Sequence, residues 1–391
     1  MFHSRLQQLD TQSLTRRLHT LGSATGPTIQ LAGRTVILLA SNDYLGLATH
    51  PDVIQAAIQA TAQYGTGAGA ARLVCGTLPP HTELEQALAT FKRTSAALLY
   101  GSGYLANLGV IPSLITRGGQ IFADRLCHAS LIDGMRLSRA RTLVFPHNDL
   151  EQASRLLAQH AGAGVCFLVV ESLFSMDGDF APLAEYAALC RSAGAVLVVD
   201  EAHAVGIYGD SGSGWLEASG VSARDCVSIN TAGKALGVGG AFVCGPSWAV
   251  EYLVQRARPF IYSTAPPPAL ADALDASLSL VAGEPERRVR LRRLAGHLRA
   301  RLKEAGIQGA EGSSQIVPIV IGGNERAVAI AGALQQAGFD VRAIRPPSVP
   351  RGTARLRASV NAGLSESHLD QFVTTLASAL KEADTCSAAS S

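Results

Sequence analysis

Short apolar, often β-branched runs recur through the middle of the chain, and between most of them apolar positions return every three or four residues. The runs Ala96 to Tyr100, Gln120 to Ala123, Arg141 to Phe145, Val165 to Glu171, Ala195 to Asp200, Asp225 to Asn230 and Gly240 to Cys244 read as seven strands. Helical spacing between them, as in Asp149 to Gln159 and Leu183 to Ala193, predicts an α/β protein whose mainly parallel sheet is covered by helices on both faces. After Pro266-Pro267-Pro268 a helix to about Val281 is expected, followed by an arginine-rich helix from Glu286 to Glu304. Beyond it come strand-like Ile316 to Ile321, Val341 to Arg345 and Ala354 to Val360, and a last helix from about Glu366 to Ala383. The expected organisation is an N-terminal segment (1–50), a large domain (51–285), a smaller α+β domain (286–384) and a small polar tail (385–391) without order. No internal repeat is present.

Composition narrows the class. With 33 basic and 31 acidic residues the net charge is +2, which gives nucleic acid no electrostatic footprint. The start, Met1-Phe2-His3-Ser4-Arg5, is polar where a secretory leader is apolar, and no apolar run is long enough to cross a bilayer, so no membrane partner and a cytoplasmic location are expected. Seven scattered cysteines without a C-x-x-C pair suggest neither a disulfide framework nor a metal site.

Candidate chemistry gathers where the predicted strands end, the side on which open α/β sheets collect ligands. Lys234 is one of four lysines and lies among small residues in Thr231-Ala232-Gly233-Lys234-Ala235. A surface ammonium has no need of such neighbours, whereas an amine that must approach a flat cofactor and form an imine with it does. Upstream, the apolar run from Ala195 ends in Asp200-Glu201-Ala202-His203. An acid at the end of a buried strand, with a histidine three residues on, suits the ring nitrogen and phenolic oxygen of pyridoxal phosphate. Gly103 and Tyr104, in the Gly101-Ser102-Gly103-Tyr104 turn before a helix, offer backbone N–H groups to a phosphate, although a plain strand-to-helix turn has the same pattern. Thr231 adds a hydroxyl to the same phosphate. Ser263 and Thr264 are a looser candidate, equally readable as a turn. His128 can lie flat on a pyridine ring, or be a hydrogen-bonded structural residue; Ser175 can donate to the phenolate oxygen, or cap a loop.

Ser41-Asn42-Asp43-Tyr44-Leu45-Gly46-Leu47, Asp124 to Ser130, Phe174 to Asp179, Asp200 to His203 and Thr231 to Lys234 occur in the order and spacing of the α-oxoamine synthases, and the chain resembles that family from about Arg16 to Gly363. The resemblance implies a fold-type-I pyridoxal-phosphate enzyme that condenses an amino acid with an acyl thioester and releases carbon dioxide. It implies that Lys234 holds the cofactor, Asp200 pairs with the ring nitrogen, His203 and Ser175 address the phenolic oxygen, and His128 stacks on the ring. Ser263 and Thr264 would reach the phosphate of a neighbouring subunit, which implies a homodimer with shared sites. Arg16, Asn42 and Ser348 would contact substrate, and Arg357 would grip the amino-acid carboxylate. The segment Ile344 to Arg357 is similar to that of the biotin-pathway members, implying L-alanine and pimeloyl-CoA or a pimeloyl carrier protein as small-molecule and acyl substrates. Glycine-dependent acetyl transfer uses nearly the same residues. An aminotransferase would consume no thioester, and a non-catalytic partner subunit would be expected to lack Lys234.

Overall fold

A computed structural model describes residues 2–160, 164–309 and 311–389, with the side chains of 386–389 excepted. The chain divides into two compact units: one holds Met1–Thr49, Ser175–Asp179 and Glu286–Ser391, the other His50–Phe174 and Phe180–Pro285.

The larger unit is built on seven strands, β1 (Ala96–Tyr100), β2 (Gln120–Asp124), β3 (Arg141–Phe145), β4 (Cys166–Glu171), β5 (Val196–Asp200), β6 (Cys226–Thr231) and β7 (Ala241–Gly245). Their order in the sheet is β1-β7-β6-β5-β4-β2-β3. β7 runs antiparallel to both its neighbours, and every other pairing is parallel. Side chains alternate across a strand, and here both faces are buried. Val169, Val198, Val227 and Ile229 join one apolar cluster with Val110 and Ile111 of the helix Gly103–Leu114 and Leu131 of the helix Ala129–Ser138. Leu168, Val170, Leu197 and Val199 join a second cluster with Leu157 of the helix Leu150–His160 and Leu183 and Tyr186 of the helix Leu183–Ala193. The result is a three-layer α/β/α arrangement, the fold-type-I architecture. Edge strand β3 lies mostly at the surface.

In the other unit, Ala354–Ser359 lies between antiparallel Ile316–Gly322 and Arg342–Ile344. A second small sheet was not expected from the sequence: Thr28–Leu31 and Arg34–Leu38 form a hairpin, and Phe339–Asp340 pairs parallel to the latter strand. The hairpin turns through Ala32 and Gly33, both at positive φ (50° and 76°). Its inward residues Ile29, Leu31, Val36 and Leu38 form their own cluster. The arginine-rich helix Pro285–Glu304 buries Leu291, Leu294, Ala295, Leu298 and Leu302, a stripe at helical spacing. The last helix is a correction to the expected tail: it runs Glu366–Ala389, taking in residues from Thr385 onward. Thr385 bonds back to the carbonyl of Glu382 at 2.8 Å, and the alanines there favour helix. Ser390 and Ser391 lie outside the described residues.

No helix among the described residues is long and apolar enough to cross a membrane. The six described cysteines are free thiols.

Candidate active site

β4, β5 and β6 point their carboxyl ends at a cleft of about 190 Å³ in the larger unit. Gly103, Tyr104, His128, Asp200, His203, Thr231 and Lys234, seven residues singled out in the sequence, all line it.

Lys234 follows the end of β6, and its Nζ lies 2.7 Å from His203 Nε2. Asp200 ends β5 and is 6 % exposed; its Oδ1 accepts from the backbone N–H of Ala202 at 2.9 Å and its Oδ2 from Asn107 Nδ2 at 2.9 Å. His128 caps the helix Ala129–Ser138: Nδ1 accepts from the Ser130 backbone N–H at 3.2 Å and lies 2.7 Å from Ser130 Oγ. Desolvation by the cleft walls pushes the His128 pKa down; Asp200 opposes this and the Lys234 ammonium adds to it.

Gly103 opens a helix capped by Ser102, whose Oγ accepts from Leu105 N at 3.3 Å, so free backbone N–H groups and the positive dipole end face this rim. A Cβ on Gly103 would stand 3.5 Å from Thr231 Cβ, which brings the helix start and that hydroxyl together. Tyr104 lines the cleft, but its own hydroxyl donates to Asp133.

Sequence reasoning missed Asn107, Ser130, Glu171 and Asn230, which also line the cleft. Asn107 stands four residues after Gly103, one helical turn on the same face, and that spacing was a usable signal. Asn107 Oδ1 and Asn230 Oδ1 are buried without a protein partner. Ser263 and Thr264 belong to the same unit but line no part of this cleft; Thr264 bridges Ala71.

The remaining candidates lie in the other unit. Arg357 is 7 % exposed, and its guanidinium donates to the Ser175 carbonyl (2.6 Å), Asn42 Oδ1 (3.0 Å), Ser359 Oγ (2.8 Å) and Tyr44 OH (3.1 Å). The turn carrying Ser175 needs glycine at Gly178, where φ is +70° and a Cβ would come within 2.5 Å of the Ile316 carbonyl. Arg16 lines a separate concavity with Arg17, Arg342 and Arg345. The Arg345 guanidinium is pushed down from its ordinary pKa by burial and then by Arg16. Ser348 sits exposed on the loop beyond, its N–H donating to the Arg345 carbonyl at 3.1 Å.

Residues 34–376 match the family model for aminotransferase class I and II. The chain is 48 % identical over 380 residues to 8-amino-7-oxononanoate synthase of Geobacter sulfurreducens, covering 96 % of this chain and 97 % of that one. It is 49 % identical over 378 residues to the protein of that name from Anaeromyxobacter dehalogenans, with 96 % and 94 % covered. Among solved structures it is similar to a serine palmitoyltransferase with a pyridoxal phosphate internal aldimine (TM-score 0.93, 30 % identity, 98 % and 97 % covered). It is also similar to 8-amino-7-oxononanoate synthase of Francisella tularensis (TM-score 0.78, 27 % identity, 89 % and 98 % covered).

Proposed function

The chain belongs to the class I and II aminotransferase family and, within it, to the α-oxoamine synthases, and on that premise we infer that it joins L-alanine to a pimeloyl thioester. The products are 8-amino-7-oxononanoate, carbon dioxide and the free thiol of coenzyme A or a carrier protein, a step of biotin biosynthesis. The observation that carries this choice is near-full-length identity of 48 % and 49 % to proteins of that name. The cleft supports the chemistry.

Its residues fit pyridoxal phosphate: an amine, an acid at a strand end, a capped helix N-terminus beside a hydroxyl, and two buried amide oxygens, Asn107 Oδ1 and Asn230 Oδ1, without protein partners. When bound, the cofactor supplies an aldehyde for a primary amine and a cationic ring that accepts electrons from the adjoining carbon.

Lys234 is the residue we assign to hold it, since its Nζ stands within hydrogen-bond reach of His203. Once free, the same Nζ would take the Cα proton of the amino acid and later return it. Asp200 would hold the proton of the ring nitrogen, and His203 and Ser175 would address the phenolic oxygen. Gly103, Tyr104 and Thr231 would hold the phosphate or its surroundings. His128 would stack on the ring and orient the substrate. Arg357 takes the alanine carboxylate, a role suited to a planar guanidinium with several parallel donors. Arg16, Asn42 and Ser348 are assigned to substrate binding. Ser263 and Thr264 are assigned to the phosphate of a second copy, so the working form is a homodimer in the cytoplasm.

Thiol release from a series of acyl thioesters, measured with L-alanine, glycine or L-serine, tests the reading. Release with alanine and pimeloyl thioester is expected. Brisk release with glycine and acetyl thioester, or with serine and palmitoyl thioester, and none with the expected pair, would overturn it.

A further inference from the structure

Two residues of the cleft, Asn107 and Ser130, are given no proton-transfer or substrate-binding role above, yet they join the acid to the histidine. The Asn107 amide has two N–H hydrogens. One goes to Asp200 Oδ2 at 2.9 Å and the other to Ser130 Oγ at 2.8 Å. Turning the amide over would set its oxygen against the Asp200 carboxylate, so the carboxylate fixes the amide's orientation. Ser130 Oγ therefore accepts from Asn107 and has its own proton to give, and His128 Nδ1 lies 2.7 Å away. The Ser130 backbone N–H is aimed at the same nitrogen at 3.2 Å. A ring nitrogen that receives both an O–H and an N–H carries no hydrogen of its own.

We propose that Asn107 and Ser130 are positioning residues that hold His128 as the neutral tautomer protonated on Nε2, making it a hydrogen-bond donor to substrate in the cleft. The donor end is open, because no described protein atom partners Nε2. Desolvation disfavours a second proton on the ring more than Asp200 favours it, which agrees with the geometry. The acceptor most suited to this N–H is an anionic or carbonyl oxygen of the amino acid or thioester. That consequence rests on the reading of the cleft as the alanine site, whereas the tautomer does not.

The test is a long-range 1H–15N correlation spectrum of the cofactor-loaded, 15N-histidine protein, with the His128 signals identified by their loss in His128→Gln. The wild type should show the Nε2–H pattern. Ser130→Ala, checked for an unchanged melting temperature, should show a second population protonated at Nδ1, and Ser130→Thr should restore the single form. Alanine-dependent thiol release should fall about fivefold in Ser130→Ala and recover in Ser130→Thr, the expected size for one neutral hydrogen bond. A wild-type ring protonated on Nδ1, or a Ser130→Ala spectrum like that of wild type, overturns the tautomer assignment. A changed spectrum with an unchanged rate overturns the positioning role. Failure of alanine as substrate would leave the spectrum as predicted, so the two readings fail separately.

Discussion

Asp200 and Glu201 are consecutive acids at the end of β5, and they face different surroundings. Glu201 is fully buried: Oε2 lies 2.5 Å from Lys92 Nζ, and Oε1 accepts from the backbone N–H groups of Trp215 (2.7 Å) and Leu216 (3.0 Å). Lys92 also donates to the Ser213 carbonyl. Gly214, at φ +132°, completes the enclosure, since a Cβ there would come within 2.2 Å of Glu201 Oε2. Asp200 instead borders a cleft that also holds Lys234, His128 and two amide oxygens lacking protein partners. Burial and charge are alike in the two acids. What separates a structural ion pair from a site is whether the protein closes around it.

Removing either lysine gives the sharpest test of that contrast. Lys234→Ala should cut thiol release by more than about a thousandfold, as loss of the amine and proton carrier requires, with an unchanged melting temperature. A variant that keeps turnover would mean that Lys234 is as structural as Lys92. Lys92→Met should do the reverse. It strands a buried carboxylate and should lower unfolding stability in urea by about 3–5 kcal/mol, while cofactor binding by the folded fraction persists. Lys92→Met with Glu201→Gln should recover most of that loss; a single variant costing under about 1 kcal/mol would show that the pair is not sealed. Asp200→Asn should slow turnover by about a hundredfold and leave the denaturation midpoint nearly as it was, measured by thiol release beside urea unfolding.

The mildest test concerns histidine. His81 is fully buried, its Nδ1 accepting from Leu78 N–H at 3.1 Å and its Nε2 2.8 Å from the Pro266 carbonyl, and burial pushes its pKa down. The unfolded chain therefore takes this proton first, so stability falls as pH drops through about 6.5, the ordinary histidine range. Unfolding free energies from urea titrations at pH 7 and pH 5 should differ less in His81→Gln than in wild type, by on the order of 1 kcal/mol. An equal difference would mean that His81 does not titrate as described.

The large sheet was legible because its strands, all but the mostly exposed edge strand Arg141–Phe145, are buried on both faces and leave unbroken apolar runs, and the seven expected strands match the observed ones within a residue at each end. The hairpin Thr28–Leu38 was not, since Ala32-Gly33 lacks the Asn-Gly or Asp-Gly signature of its turn, and Ala32 reaches φ +50° in spite of its Cβ. In the cleft, Lys234 was marked by its small neighbours and Asp200 by its place after an apolar run. Asn107 is marked only by its helical spacing from Gly103 and Ser130 by nothing local: their meaning lies in hydrogen bonds between residues 93 and 23 positions apart. Thr385–Ala389 read as tail because small polar residues are ambiguous between helix and coil when no apolar stripe decides.

Every assigned role in the cleft depends on a bond between Lys234 and the cofactor. Borohydride reduction of the loaded protein, followed by peptide mapping, should place the pyridoxyl tag on Lys234 and leave Lys92 unmodified. A tag on Lys92, Lys303 or Lys381, or no tag on any lysine, would contradict it.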